Sequence, residues 1–298
     1  MINRIIVSTL YAVGVMLFLL LGHPELMSYQ EQYQLFLFNV DYLMERLSVA
    51  GGVADYVSEF LVQFCYVPLF GAIAYTLVFV VMQQLVYRMS LNDISCPISI
   101  VPGVLLLSYM GDEDVLLSFA VALVFVLLSV WCVLKTSGRT KFIVEILLIP
   151  LLYWCAGPVV FCYVALMIIC DVSYDMLSTH KMMMSIARAL YSIVVVYLSY
   201  KFILTQHVAS DVWLGINYHR DRLTYPVMQF VVEGAVVLMP LLSRLLLYVK
   251  MKWFCPLAFS LIFIGGSIFI VSNYDKDKYT IFYFDYCVRN ERWNDVIE

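Results

Sequence analysis

Positions 115–134 read VLLSFAVALVFVLLSVWCVL, a run that contains no charged residue. An α-helix rises about 1.5 Å per residue, so this run is about 30 Å long, which matches the hydrocarbon thickness of a bilayer. The nearest charges stand outside the run, at Asp114 before it and Lys135 after it. The run therefore predicts a membrane-spanning helix.

The composition of the whole chain also indicates a membrane protein. Of its 298 residues, 63% are hydrophobic and 13% are charged, and the mean hydropathy is +0.88. A soluble domain is closer to half apolar and about a quarter charged, so a water-soluble fold and a disordered chain are both excluded. We predict an all-α, polytopic bundle in a transmembrane domain at residues 1–273. Its spans, about nine in number, are 5–21, 62–87, 94–110, 115–134, 142–156, 158–174, 186–205, 226–248 and 253–273.

The distribution of charge predicts the orientation of these spans. With the N-terminus inside, the inner ends carry ten Lys or Arg and three Asp or Glu, whereas the outer segments carry eight cations and seventeen acids. Cytoplasmic loops are enriched in Lys and Arg. We therefore expect the N-terminus inside and the C-terminus outside. The net charge of −4 and the lack of a basic block argue against nucleic acid as a partner.

The longest outer segment, residues 22–61, contains candidate catalytic residues. Its apolar residues recur at helical spacing between Ser28 and Leu47, which predicts one amphipathic helix lying in the membrane interface. Glu31, Gln34, Asp41 and Glu45 would share another face of that helix. This face is either a solvated surface or the wall of an outward-facing site, with Glu31 and Asp41 as the catalytic candidates.

The second outer segment, residues 206–225, contains candidate substrate-binding residues. Cations, imidazoles and aromatic rings together can hold a phosphate or stack on a sugar, although an ordinary loop with an aromatic belt has the same composition. The candidates are His207, Asp211, Trp213, His219, Arg220 and Arg222.

Two charges are predicted within the outer halves of spans. Glu233 lies about 10 Å past Pro226 along a helix, and Lys201 lies at a similar depth near the end of its span. Buried carboxylates in membranes usually face protein or a wet cavity. We expect Glu233 to face the interior and to find a partner among Lys201, Arg220, Arg222 or a polar cavity, with Lys201 as the best candidate. The eight cysteines show no CxxC spacing, and no metal site or cofactor is predicted.

The tail, residues 274–298, is predicted to be the start of an outer helical, tetratricopeptide-like segment. Its aromatic residues recur at helical spacing, and the pattern breaks off in mid-course, as expected of a truncated segment.

Several motifs together resemble an uncharacterised family of multi-spanning inner-membrane proteins from Gram-negative anaerobes. They include Ser28 to Phe36 (SYQEQYQLF), Gln63 to Pro68 (QFCYVP) and Phe284 to Arg289 (FDYCVR). The resemblance implies a membrane half followed by outer helical repeats, and a multi-pass location in the bacterial inner membrane. It implies no activity.

A first span followed by a long outer loop with carboxylates also resembles the architecture of GT-C glycosyltransferases. That resemblance implies a polyprenyl-phosphate sugar donor and an acidic base in the first loop, where Glu31 and Asp41 are available. The loop lacks the Asp-Asp or Glu-x-Asp pair of those enzymes. Three hypotheses follow: a membrane anchor presenting outer helices to envelope proteins, a GT-C-like enzyme, and a transporter or flippase. If residues 25–45 and 207–222 line one cavity, the enzyme or the transporter is favoured.

Overall fold

The computed structural model describes residues 2–90, 96–110, 115–174, 179–204, 212–213, 227–246, 254–272 and 276–297. Within these ranges every regular element is a helix. In chain order they are α1 (Ile2–Leu17), α2 (Pro24–Tyr33), α3 (Val40–Leu47), α4 (Gly52–Val62), α5 (Pro68–Arg88), α6 (Val101–Tyr109), α7 (Leu117–Leu134), α8 (Gly138–Ala156), α9 (Val160–Tyr174), α10 (Thr179–Phe202), α11 (Val227–Leu245), α12 (Phe254–Ser272), α13 (Lys276–Arg289) and α14 (Trp293–Ile297).

Many of these helices are suited to a membrane. Two shorter apolar helices occupy Ile98–Tyr109 and Leu257–Ile270. Within the described ranges, the stretches long and apolar enough to cross a bilayer number six: Ile5–Gly22, Pro68–Arg88, Leu117–Leu134, Gly138–Asp171, Met182–Phe202 and Val227–Leu245. The fourth of these is two helices, because Gly157 adopts a φ of 55° between α8 and α9, in a region of backbone space that glycine occupies readily. The helix lengths and composition are those of a membrane protein.

Helix α7 is enclosed by other helices, as the uninterrupted apolar run predicts. It packs against α4, α5, α8 and α9, and Phe119, Leu123 and Val126 are fully buried. Helix α10 is the opposite case, since large apolar side chains such as Ile186 and Leu190 are more than half exposed. An apolar surface of that kind is stable against lipid rather than against water.

One end of the bundle is marked by contacts between distant segments, and we call it the α2 end. Gln30 Nε2 on α2 donates to the Val115 carbonyl oxygen, 3.0 Å away, just before α7 begins. Trp154 Nε1 near the end of α8 donates to the Leu47 carbonyl oxygen at 2.7 Å. Near the same end of α8, the Tyr153 hydroxyl donates to the Val212 carbonyl oxygen at 3.3 Å. The chain therefore returns to the α2 end several times.

The prediction of one helix from Ser28 to Leu47 is wrong. Helix α2 ends at Tyr33, residues 34–39 are irregular, and α3 begins at Val40. The break is stabilised by side chains, because Gln63 Nε2 donates to the Gln34 carbonyl oxygen at 2.7 Å and Phe36 is buried against several aromatic rings. Burial of Phe36 thus outweighs the helical periodicity that favoured a continuous helix.

Several predicted boundaries also differ from the structure. The second span was expected to begin at residue 62, but Val62 ends α4 and the long helix starts at Pro68, which occupies the favourable first turn of a helix. The tail contains two helices, because Glu291 adopts a φ of 55° between α13 and α14. A non-glycine residue with this backbone conformation interrupts a right-handed helix.

Candidate functional site

Glu31, a predicted catalytic residue, is paired with the C-terminal helix. Arg289 Nη2 on α13 lies 2.6 Å from Glu31 Oε2, and Arg289 Nη1 lies 3.1 Å from the Ser28 hydroxyl oxygen. The Arg289 guanidinium also lies 5.7 Å from the centroid of the Tyr66 ring. Glu31 therefore joins α2 to α13 through an ion pair.

The contact between α2 and α13 extends beyond this ion pair. Gln32 Nε2 donates to Asp285 Oδ2 at 3.3 Å, and the rings of Tyr29 and Phe282 pack with centroids 4.4 Å apart. Apolar, hydrogen-bonded and charged contacts together hold α13 along α2. The α2 end of the bundle is thus a docking surface for a helix of the same chain.

Asp41, the other predicted catalytic residue, lies apart from Glu31 in the chain fold. It is exposed in the first turn of α3, and its backbone N–H donates to Asn39 Oδ1 at 3.0 Å in a helix cap. Because residues 34–39 separate α2 from α3, the expected face of Glu31, Gln34, Asp41 and Glu45 on one continuous helix does not exist.

Of the predicted substrate-binding residues, the structure describes Trp213. Its ring stacks on that of Phe161 at the start of α9, with centroids 5.8 Å apart. The other five, His207, Asp211, His219, Arg220 and Arg222, lie outside the described residues.

The structure describes both Lys201 and Glu233, and the ion pair predicted between them does not form. Glu233 Oε1 instead accepts from Gln229 Nε2 on the same helix, at 3.2 Å. Lys201 is exposed, and its Nζ lies 5.5 Å from the centroid of the Phe202 ring. A lysine near a helix end can extend along the helix toward the membrane surface, so it needs no carboxylate partner.

A first polar cluster that the sequence analysis missed lies where α3 packs on α4. Arg46 holds the Glu59 carboxylate with two nitrogens, at 2.7 Å from Nη2 and 3.1 Å from Nε. The Tyr42 hydroxyl donates to the same carboxylate. Burial, together with the adjacent Glu59, raises the pKa of Tyr42 to about 12. The signal in the sequence is two pairs at i,i+4 spacing, Tyr42 with Arg46 and Asp55 with Glu59.

Asp55 is the unusual member of this cluster. It is buried, and burial together with the charge of Glu59 raises the pKa of its carboxyl group to about 7, against the opposing effects of Arg46 and of the Ser118 hydroxyl. A carboxyl group with a pKa near neutrality is suited to accept or donate a proton.

A glycine fixes the geometry of this cluster. A Cβ atom on Gly52 would lie 1.6 Å from the Arg46 carbonyl oxygen, so no other residue fits there without a backbone shift. The preceding Gly51 has a φ of 81°, which lets the chain turn sharply between α3 and α4. These two glycines bring Arg46 within reach of Glu59.

A second missed cluster joins α8, α9 and α10. Arg188 donates to both oxygens of Glu145, from Nε at 3.1 Å and from Nη2 at 3.3 Å. Its Nη2 also lies 3.2 Å from Asp171 Oδ2, and Lys141 Nζ lies 3.1 Å from Asp171 Oδ1. We call these four residues the Arg188 network. The signal in the sequence is the i,i+4 spacing of Lys141 and Glu145, which favours pairing on one face of a helix.

Most of the carboxylates in these clusters are paired with basic side chains. Within the described ranges, no group of three or more His, Cys, Asp or Glu side chains could hold a metal ion. Glu31, Glu59, Glu145 and Asp171 each have a basic partner. Burial gives the carboxyl group of Asp55 a pKa of about 7, which suits proton transfer near neutral pH.

Comparison with known proteins gives a family without an activity. No curated protein matches the chain, and no solved structure does. The model of a family of unknown function, DUF6057, matches residues 1–298. The chain therefore belongs to that family.

Proposed function

We propose that this protein is a nine-span inner-membrane anchor that presents its C-terminal helical segment, outside the cytoplasm, to proteins of the cell envelope. The observation that carries the proposal is the docking of α13 on α2 through Arg289 and Glu31. A helix held at a fixed position at the bundle end is what an anchor requires, and it uses the carboxylate that an enzyme of the GT-C type would need free.

The contacts at the α2 end support nine crossings. Helix α5 begins at the α2 end and leads away from it. Helix α7 also begins at the α2 end, next to Gln30, so the short helix α6 must bring the chain back across the bundle between them. Trp154 and Val212 lie at the same end, so the Gly157 turn and the end of α10 are there as well. We infer that the short apolar helix α12 returns the chain from the far end of α11 to α13. Counting the two short helices and both halves of Gly138–Asp171 gives nine.

Orientation follows from the charge asymmetry. In the nine-span topology that we propose, the acidic segments fall on the side of the α2 end, and ten of the 18 Lys and Arg residues fall on the opposite side. The positive-inside rule therefore puts the α2 end outside the cytoplasm. Reporter fusions at residues 50 and 215 should be extracytoplasmic, and fusions at 138 and 180 cytoplasmic. A cytoplasmic signal at 215 would overturn the nine-span topology.

The face of α13 that points away from α2 supports presentation to a protein partner. Ile281, Phe284 and Val288 recur at i, i+3 and i+7, which puts them on one face of the helix, and all three are exposed. An exposed apolar stripe of this kind is a typical recognition surface for another helix.

Photo-crosslinking tests this proposal in intact cells. A benzoylphenylalanine residue in place of Phe284 should form covalent adducts with an envelope protein, identified by mass spectrometry. The matched control is the same residue in place of Phe282, whose ring packs on Tyr29, and it should give adducts only within the chain. If position 284 captures lipid or nothing in the presence of the native envelope, the anchor function is wrong.

A second candidate function, glycosyl transfer of the GT-C type, rests on Asp55 rather than on the residues first expected. Its raised pKa of about 7 suits a base that activates an acceptor hydroxyl group. In this case Asp55→Asn should abolish sugar transfer from a polyprenyl-phosphate donor by membranes that contain the protein, while Asp41→Asn should not. Lack of donor-dependent transfer by the unmodified protein rejects this candidate.

A further inference from the structure

A cavity of ≈ 230 Å³ lies between α8 and α10, on the Arg188 side of the bundle. It is far larger than the roughly 15 Å³ that one water molecule needs. Its lining includes Phe142, Ile146 and Ala187, and all three are exposed on the surface of the bundle. The mouth of the cavity therefore opens onto a surface that faces lipid in a membrane.

The wall of this cavity contains a buried donor. Arg188 lines it and is only 7% exposed. Its Nε and Nη2 atoms are used by Glu145 and Asp171, but its buried Nη1 has no hydrogen-bond partner in the part of the chain that the structure describes. A buried charged donor without an acceptor is unfavourable, so an acceptor oxygen that reached Nη1 from the cavity would be stabilised there.

The charges around the cavity favour a ligand that is neutral overall. The two cations of the Arg188 network, Lys141 and Arg188, balance the two carboxylates, Glu145 and Asp171. Glu145 lines the cavity beside Arg188, so a simple anion at Nη1 would be repelled by the carboxylate next to it. A group with a hydrogen-bond acceptor at one end and a cation at the other can bind Arg188 through the acceptor and Glu145 through the cation.

The depth of the cavity matches the level of lipid headgroups. Phe142 is the first apolar residue after Lys141, and Glu145 follows three residues later, about 4.5 Å further along the helix. Lys141 and Arg139 mark the adjacent membrane surface. A headgroup can reach Arg188 at this depth while its acyl chains stay in the lipid beside Ile146.

We propose that this cavity binds the headgroup of a zwitterionic phospholipid from the surrounding membrane. The phosphate oxygen accepts from Arg188 Nη1, the ammonium group lies against Glu145, and the acyl chains lie over Phe142 and Ile146. The site is independent of the anchor function, because it lies between α8 and α10 and involves neither α2 nor α13.

The test uses the purified full chain in detergent and short-chain lipid probes. Native mass spectrometry and the shift in Tm report binding of dioctanoyl-phosphatidylethanolamine, dioctanoyl-phosphatidylglycerol, dioctanoylglycerol and inorganic phosphate. The first probe should bind at least tenfold more tightly than each of the others. Dioctanoylglycerol has the same acyl chains without the phosphate, and inorganic phosphate lacks the chains.

A cavity-filling variant avoids disturbing the Arg188 network. Ala187→Phe should weaken binding of dioctanoyl-phosphatidylethanolamine at least tenfold. Met183→Phe is the matched control, because it adds an aromatic ring to an exposed position of the same helix outside the cavity, and it should change binding less than twofold. Equal binding by Ala187→Phe and the unmodified protein would overturn the proposal.

The remaining probes identify wrong assignments. Equal binding of dioctanoylglycerol would show that the cavity recognises chains and not a headgroup. Equal binding of inorganic phosphate would show a site for the free ion. Tighter binding of the phosphatidylglycerol probe would overturn the assignment of a zwitterionic headgroup.

Discussion

The Arg188 network and the pair of Glu31 with Arg289 are built from the same chemical groups, yet they differ in what surrounds them. Arg188 and Glu145 are almost completely buried among apolar helices, whereas the side chains of Glu31 and Arg289 are 17% and 31% exposed at the bundle end. The two charges of a pair away from water attract each other strongly, and removing one of them costs much stability because the other stays buried without a partner. A pair near water is screened, so its removal costs less. The first joins α8, α9 and α10 inside the bundle, and the second holds α13 against α2 at the bundle end.

The largest effect is expected from Arg188→Leu. It leaves Glu145 and Asp171 with only Lys141 to balance them, and breaking a buried pair typically costs about 3–5 kcal/mol. The free energy of unfolding, from denaturant melts in detergent, should fall by this amount.

The double variant Arg188→Leu with Glu145→Leu is the control for that experiment. It removes both charges of the buried pair and keeps the pair of Lys141 with Asp171, so it should recover most of the stability. If the single variant melts like the unmodified protein, the network does not stabilise the bundle.

Asp55 offers an effect of similar size, measured as a dependence on pH. Because burial raises its pKa from 3.8 to about 7 in the folded protein, the folded state binds this proton more tightly than the unfolded chain does. Stability should therefore fall as the pH rises from about 4 to about 7, by about 1.4 kcal/mol for each unit of the shift.

Asp55→Asn should remove this part of the pH dependence, because the amide does not titrate. Asp41→Asn is the control, since Asp41 is exposed and its change should leave the slope as it was. The same slope in Asp55→Asn and in the unmodified protein would mean that Asp55 is charged throughout this range.

A smaller effect is expected from Glu31→Gln. The partly exposed pair contributes about 1 kcal/mol or less, so the bundle should melt normally while α13 detaches more often. Hydrogen exchange of the peptide at residues 279–289 should accelerate a few-fold, and added salt should accelerate it in the unmodified protein as well.

Asp295→Asn is the matched control for this experiment, because the pair of Asp295 with Arg292 is half exposed and lies within the tail. It should leave the exchange of α13 unchanged. An exchange rate unaffected by Glu31→Gln would show that the apolar contacts alone hold the helix.

The smallest effect is expected from Lys201→Gln. Lys201 is exposed and its ammonium lies near the rings of Tyr197 and Phe202, so its loss should change stability by about 0.5 kcal/mol or less. Thermal melts of Lys201→Gln and Arg188→Leu under the same conditions compare the two losses of stability. A loss as large as that of Arg188→Leu would show that Lys201 has a strong partner.

The apolar runs of the sequence predict much of the helical framework and little of its polar chemistry. The run at 115–134 predicts α7 because nothing in it competes with a helix spanning a bilayer. The segment around Phe36 misled the prediction, since a buried aromatic ring broke a periodic pattern that extended on both sides of it. Tertiary packing of one residue is not visible in local spacing.

The charged pairs of the candidate site were even less predictable from local sequence spacing. Glu31 and Arg289 are far apart in the sequence, so no periodicity connects them and Glu31 looks like a free carboxylate. Arg188 and Glu145 lie on different helices, and a charge count assigns them only a side of the membrane. Pairing between distant charges depends on how the helices pack, which the composition of each helix does not determine.

The order of synthesis determines when α13 can dock on α2. Ser28 and Arg289 are 261 residues apart, and at about 5–20 residues per second a ribosome needs on the order of ten to fifty seconds between them. During that interval Glu31 and Tyr29 lie at the surface of a growing chain without the helix that later contacts them. This contact can therefore close only after the helices between α2 and α13 have been synthesised, and a probe of the covered surface of α2 distinguishes a chain made through Arg289 from a shorter nascent one.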